Sequence, residues 1–189
     1  MKEPGWTLFL DRDGVINRRL PGAYVRRPEA FEFLPGVRQA LPVLGRYFSI
    51  MVVLTNQQGI GKGWMTERDL EEVHAYMRRE IAAAGGRIDG LYYCPHLASA
   101  GCSCRKPRTG LALQARKDFP AIDFRQAVLV GDSVSDIELA RRLGMVPVWV
   151  KHPEDERPMP LEPKLTLGGL PELLPHLAQW KITSVAPKP

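Results

Sequence analysis

The sequence predicts an α/β fold built on a doubly wound, mostly parallel sheet, and three observations carry that expectation. Short apolar runs rich in β-formers alternate with capped helical segments, as strands joined by crossover helices do. Several of these runs close on a polar residue, at Leu10-Asp11, Leu54-Thr55-Asn56 and Gly131-Asp132, where an open α/β sheet gathers its ligands. At 189 residues the chain can bury one sizeable core but is short for two ordinary domains, so residues 1–182 read as one unit.

Trp6-Thr7-Leu8-Phe9-Leu10 is the first strand, apolar enough to be buried on both faces. Gly14 then lets the chain turn sharply away behind Asp11-Arg12-Asp13. Arg18 to Leu34, with Pro21-Gly22 and Arg26-Arg27-Pro28, is long for a connector and reads as a loop over a site. Pro35 opens a helix over Gly36 to Arg46, which Pro42 should kink or shorten. Phe48 to Leu54 is the second strand, and Gln57 to Trp64 a glycine-rich loop. Thr66, with Asp69 at the capping-box position, starts a helix that Gly85-Gly86 stops. Leu91-Tyr92-Tyr93 is the third strand, and Gly110 to Phe119 is helical. Ala127 to Val130 is the fourth strand, Ile137 to Leu143 a helix ended by Gly144, and Pro147 to Val150 the fifth strand. A proline-rich linker (His152 to Pro163), a short helix near Pro171 to Trp180 and a disordered tail over 183–189 complete the chain.

A formal charge of +5 and a pI near 9.3 favour anionic partners such as phosphate esters. No basic run is long enough for a nucleic-acid stripe, and no apolar run is long enough to cross a bilayer. The first residues lead straight into a strand rather than a signal segment, so a cytoplasmic protein acting as a monomer is expected. Its three cysteines all fall between Cys94 and Cys104, an odd and clustered set that does not suit a disulfide framework.

The chemistry concentrates at Asp11 and Asp13. An aspartate is ionised at neutral pH and can attack phosphorus without a base to activate it. A second carboxylate close by can give a proton to the leaving alkoxide and take one back from water. The bland alternative for D-x-D alone is a charged pair in a solvated turn. Thr55 and Asn56 offer a hydroxyl and an amide to phosphate oxygens, and Gly131-Asp132-Ser133-Val134-Ser135-Asp136 adds two carboxylates at a helix start. Capping accounts for Asp136 better than for Asp132, which stands directly at the strand end. Carboxylates converging on one crevice need a cation, so Asp11, Asp132 and the backbone carbonyl of Asp13 are the candidate Mg²⁺ ligands. Lys106 is placed to offset charge on a phosphoryl group in flight, and Arg105 to hold a second anionic group.

Asp11-Arg12-Asp13-Gly14, Thr55-Asn56-Gln57, Cys104-Arg105-Lys106-Pro107 and Gly131 to Asp136 resemble, in order, the four motifs of the haloacid dehalogenase-like phosphatases. The resemblance covers about the first 150 residues and is closest to the small branch without a large cap domain. It implies a Rossmann-like sheet, Asp11 as nucleophile forming an aspartyl-phosphate, and Asp13 as general acid and base. It also implies Thr55 and Lys106 as phosphoryl stabilisers, Arg105 with Asn56 and Gln57 at the substrate, and Asp132 on Mg²⁺. The branch acts on small phosphorylated molecules, so the implied substrate is D-glycero-D-manno-heptose 1,7-bisphosphate, with histidinol phosphate as the alternative. A binding module that has lost turnover on the same fold is the reading from a different class.

Cys94, His96, Cys102 and Cys104 form a Cys₃His set suited to a structural Zn²⁺, with no open position for chemistry. Arg105 and Lys106 follow the last ligand directly, so the metal would fix where their charges point. Gly59-Ile60-Gly61-Lys62-Gly63 fails as a nucleotide-binding loop, because Gly63 stands where Ser or Thr is required. A flexible lid or phosphate-side loop is the better account. His74, His152 and His176 have no partners at metal or triad spacing and are expected at the surface.

Overall fold

The computed structural model describes residues 5–154, 156 and 158–182. Six strands follow one another in the chain: β1 (Thr7–Leu10), β2 (Ile50–Asn56), β3 (Gly90–Cys94), β4 (Ala127–Gly131), β5 (Val146–Val150) and β6 (Leu165–Leu167). They pair in parallel in the order β3-β2-β1-β4-β5-β6. β1 is central, its Leu10 in register with Val53 on one side and Val130 on the other. All four of its residues are buried, as an apolar strand covered on both faces must be.

Alternate side chains of β1 feed two cores. Leu8 and Leu10 join one layer with helices α1 (Val37–Leu44) and α2 (Glu67–Ala83). Phe9 joins the opposite layer with α3 (Gly110–Asp118) and α4 (Val134–Leu143). Burying each of these three strand side chains is worth about 1.5–3 kcal/mol. The sheet order reverses direction between β1 and β4, so their carboxyl ends open on the crevice where such sheets bind ligands.

The helix signals translate closely. Thr66 accepts from Asp69 N while Asp69 Oδ2 accepts from Thr66 N, closing the expected capping box on α2. α1 ends two residues after Pro42, whose missing N–H shortens it as expected. α4 starts at Val134 rather than Ile137, because Ser133 and Asp136 form a second capping box. Two features of the tail differ from the sequence expectation. β6 adds an unexpected edge strand beside β5, and the segment after it, Leu170–Trp180, winds as a 3₁₀ helix around Pro171 and Pro175. Three residues are too few to show a strand period, and two prolines remove the donors an α-helix needs. The tail beyond Ile182 lies outside the described residues.

Among the described residues no cap domain interrupts the sheet. The 18–34 connection holds only a 3₁₀ turn (Pro28–Ala30) and is closed at its base by Arg18 N→Glu32 O and Leu34 N→Ile16 O. No described helix is long and apolar enough to cross a membrane.

Candidate active site

The loop after β1 is wound tightly enough to fix two carboxylates. The carbonyl of Arg12 accepts from Val15, Ile16 and Asn17 N, and Gly14 N donates to Asn17 O. Gly14 has φ +88°, and a Cβ there would lie 2.3 Å from Asp132 Oδ2. Glycine is therefore required twice over, by backbone conformation and by the close approach of Asp132.

Asp11, at the end of β1, enters a buried charge cluster. Lys106 Nζ lies 3.0 Å from Asp11 Oδ1 and 2.7 Å from Asp136 Oδ1, and donates to Leu54 O at 2.7 Å. Asp136 is wholly buried, against Gly131, where a Cβ would strike its carboxylate. Its other oxygen accepts from the Ser133 hydroxyl, so Asp136 both caps α4 and holds Lys106. Burial opposes the lysine's charge, but Asp11 and Asp136 outweigh it and drive the Lys106 pKa up. Burial pushes Asp11 well above the ordinary carboxylate range; Lys106 draws it back, while Asp136, Asp132 and Asp13 push it further up.

Asp13 has the opposite surroundings. Arg12 Nη2 donates to both of its oxygens at 3.0 and 2.9 Å, Asn17 Nδ2 to Oδ1 at 2.9 Å, and Gln57 Nε2 to Oδ2 at 2.7 Å. Burial acts to raise this carboxyl, but Arg12 and then the Asn17 and Gln57 donors hold it below its ordinary value. Its side chain remains 24% exposed, open to the crevice.

The polar residues at the end of β2 divide unexpectedly. Thr55 Oγ1 accepts from Gln57 Nε2 at 2.9 Å, which leaves its own proton to donate into the crevice it lines. Asn56 is engaged at both ends of its amide by the Lys106 backbone, Nδ2 to O at 3.2 Å and Oδ1 from N at 3.0 Å. Gln57 is fully buried beneath Asp13. Of the two amides expected at the substrate, Gln57 is buried and holds Asp13, whereas Asn56 grips the Lys106 backbone and also lines the crevice.

A crevice of about 330 Å³ opens above these groups, lined by Asp11, Asp13, Thr55, Arg105, Lys106 and Asp132. Arg105 brings a buried Nη1 with no hydrogen-bond partner, as a donor awaiting an anion would be. Arg19, from the 18–34 connection, reaches in to Asp132 Oδ2 at 2.9 Å. That connection and the glycine-rich loop meet at the rim. Tyr24 packs edge-on to Trp64 at 5.8 Å, Lys62 Nζ lies 4.5 Å over the Trp64 ring, and Arg26 donates to Trp64 O. The long connection is thus a wall of the crevice.

Oxygens of Asp11, Asp132 and Asp136 lie within 4.8 Å of one another, and two cationic side chains, buried Lys106 and half-exposed Arg19, face these three carboxylates. With Asp136 turned to Lys106 and Ser133, Asp11 and Asp132 are the pair suited to a hard divalent cation. At the end of β3, Cys94, Cys102 and Cys104 sulfurs stand 3.2–3.6 Å apart, with His96 Nδ1 3.6 Å from Cys94 and 3.2 Å from Cys104. All three thiols are free. This soft, four-donor set, closed on itself, suits zinc. The Cys94 carbonyl accepts from Gln57 N and that of Pro95 from Gly61 N, so the cysteine loop braces the glycine-rich one.

Two histidines correct the surface expectation. His74, on α2, is buried with Nε2 3.1 Å from Arg12 Nη1. His152, just after β5, is half-buried with Nε2 2.7 Å from the Gly14 carbonyl, tying the far strand to the catalytic loop. His176 pairs with Gln179. Arg12, Asn17 and Arg19 also escaped the sequence reading; only the position of Arg12 between two carboxylates hinted at a role.

A family model described as HAD-hydrolase-like matches residues 103–172. The D-glycero-alpha-D-manno-heptose-1,7-bisphosphate 7-phosphatase of Mycobacterium tuberculosis is 46% identical over 138 residues, 73% of this chain and 73% of that protein. The D-glycero-beta-D-manno-heptose-1,7-bisphosphate 7-phosphatase of Vibrio cholerae is 40% identical over 145 residues, 73% of this chain and 76% of that one. Among solved structures, D,D-heptose 1,7-bisphosphate phosphatase from B. bronchiseptica, complexed with magnesium and phosphate, superposes with a TM-score of 0.81 at 30% identity. The match covers 93% of this chain and 99% of that chain.

Proposed function

Because this chain belongs to the haloacid dehalogenase-like hydrolases, with the heptose-bisphosphate phosphatases as its relatives, we propose that it removes the 7-phosphate of D-glycero-D-manno-heptose 1,7-bisphosphate. The observation that carries this is the convergence of Asp11, Thr55, Lys106 and Asp132 on one crevice, with Asp13 open to the same space. Asp11 Oδ attacks phosphorus and forms an aspartyl-phosphate as the ester bond breaks. Asp13 gives its proton to the departing alkoxide, then takes one from the water that hydrolyses the acyl phosphate. Held low by Arg12, Asp13 begins ionised; an anionic phosphate beside it disfavours that charge and lets it take up the proton it must deliver.

Lys106 and the Thr55 hydroxyl serve the equatorial oxygens, where charge grows in the transition state. Asn56 and Gln57 act one step behind, fixing Lys106 and Asp13. Asp11, Asp132 and the Asp13 carbonyl would hold Mg²⁺, which would supply neutralising charge to the carboxylates and the transferred group. Arg105, with its unpartnered Nη1, receives the second phosphate. Cys94, His96, Cys102 and Cys104 would hold a structural Zn²⁺, which would fix the loop that carries Arg105 and Lys106 without entering the chemistry.

The test is phosphate release from both heptose 1,7-bisphosphate anomers, fructose 1,6-bisphosphate and histidinol phosphate, with Mg²⁺ present. Preference for a heptose bisphosphate by at least tenfold in kcat/KM is expected. Preference for histidinol phosphate would move the chain to the other substrate, and no release from any ester would leave a binding module.

A further inference from the structure

Arg12 is completely buried, the bulkiest such side chain among the described residues, and the chemistry above gives it no contact with substrate. Burying a guanidinium is costly, and an apolar side chain would fill the space without that cost. Its bonds all run in one line. Nη2 grips both oxygens of Asp13, and Nη1 lies 3.1 Å from His74 Nε2. A guanidinium only donates, so His74 accepts through an unprotonated Nε2 and is neutral. Burial, and then Arg12 itself, lower the His74 pKa to about 3, in keeping with that state. His74 belongs to α2 and is only 7% exposed, its ring centroid 6.1 Å from that of Tyr93 of β3.

We propose that Arg12 and His74 are a positioning pair that holds the Asp13 carboxylate at the angle from which it protonates the leaving group. The inference rests on the reading of Asp13 as acid and base. Among the described residues, His74 is the only side chain besides Asp13 that hydrogen-bonds the guanidinium, whose Nε has no partner. Without that acceptor Arg12 can rotate, and the carboxylate it grips turns with it. Asn17 and Gln57 each bind one oxygen and cannot replace a two-oxygen grip.

The test compares kcat/KM on an alkyl phosphate, whose leaving group needs a proton, with 4-nitrophenyl phosphate, whose leaving group does not. His74→Phe keeps the bulk and removes the acceptor; His74→Gln restores an acceptor. His74→Phe should lose about tenfold on the alkyl ester and less than about twofold on the aryl ester, against the 10²–10⁴ a full acid supplies. His74→Gln should recover most of it. Arg12→Lys cannot span both partners and should show the same split, which covers a His74→Phe protein that melts too low to assay. Equal losses on both esters, or none, overturn the pair. Asp13→Asn separates the two levels: if it too lacks leaving-group dependence, the acid–base reading has failed; if it shows the dependence while the His74 and Arg12 variants do not, only the pair has.

Discussion

Asp11 and Asp13 stand on one loop with a single residue between them, and their surroundings push them in opposite directions. Asp11 shares one lysine with Asp136 and faces Asp132, so burial and like charge drive it up. Asp13 is ringed by donors from Arg12, Asn17 and Gln57, which hold it down against burial. On the proposed mechanism, the difference is what would let one fold use the same side chain as nucleophile and as acid–base group. The first must share its one lysine with a second carboxylate, whereas the second has more donors than it has oxygens.

The largest effect should come from breaking the first of these surroundings at its centre. Asp11→Asn cannot attack phosphorus and should lower kcat at least a hundredfold, about 2.7 kcal/mol, on alkyl and aryl esters alike. Retention of more than a hundredth of the wild-type kcat would exclude the covalent route.

Next is the support behind it. Asp136→Ala leaves buried Lys106 with Asp11 and the Leu54 carbonyl only, and should destabilise the fold by about 3 kcal/mol in urea. An unchanged urea midpoint would show that Asp11 alone satisfies the lysine.

The second surrounding is probed by acid. The folded pKa of His74, about 3, lies below the ordinary 6.5, so between those values the unfolded chain binds a proton that the folded one does not. The stability tied to neutral His74 is whole above about pH 6.5 and falls as pH drops toward 3. From pH 7 to pH 5 the loss is about 2 kcal/mol. His74→Gln should lose that much less over the same interval, measured by urea melts at both pH values. Parallel slopes for the two proteins would mean that His74 titrates normally.

The smallest effect sharpens the contrast at another pair of neighbours. Lys106 is locked among carboxylates, whereas Arg105 faces the crevice with a free donor. Arg105→Ala should raise KM for a bisphosphate about tenfold, roughly 1.4 kcal/mol, and leave kcat on 4-nitrophenyl phosphate unchanged. An equal fall of kcat on both substrates would place Arg105 in the chemical step.

Much of this was readable from local patterns. Five strands, the Thr66 capping box, the cysteine cluster and the carboxylates at strand ends each depend on residues close in sequence, and each stands where its pattern placed it. Capping was the right account of Asp136 and an incomplete one, because Lys106 comes from 30 residues earlier in the chain. β6 and the 3₁₀ run were not readable: a three-residue edge strand exists only because β5 offers it an unpaired neighbour.

The sequence by itself determined which groups could do chemistry: two carboxylates at a tight turn, a hydroxyl, a lysine, and a soft metal set. These follow from residue type and short spacing, which fix backbone direction and donor chemistry without distant partners. Only the tertiary structure decided what each group does with its neighbours. Gln57 turned inward, Asn56 gripped the Lys106 backbone, His74 became a buried acceptor, His152 bound the Gly14 carbonyl, and Asp11 and Asp13 parted in character. The physical reason is that burial and charge depend on what packs from elsewhere in the chain. Many of those partners, Gln57 for Asp13, Lys106 for Asn56 and Asp136, and His152 for Gly14, lie tens of residues away, where no period or spacing records them.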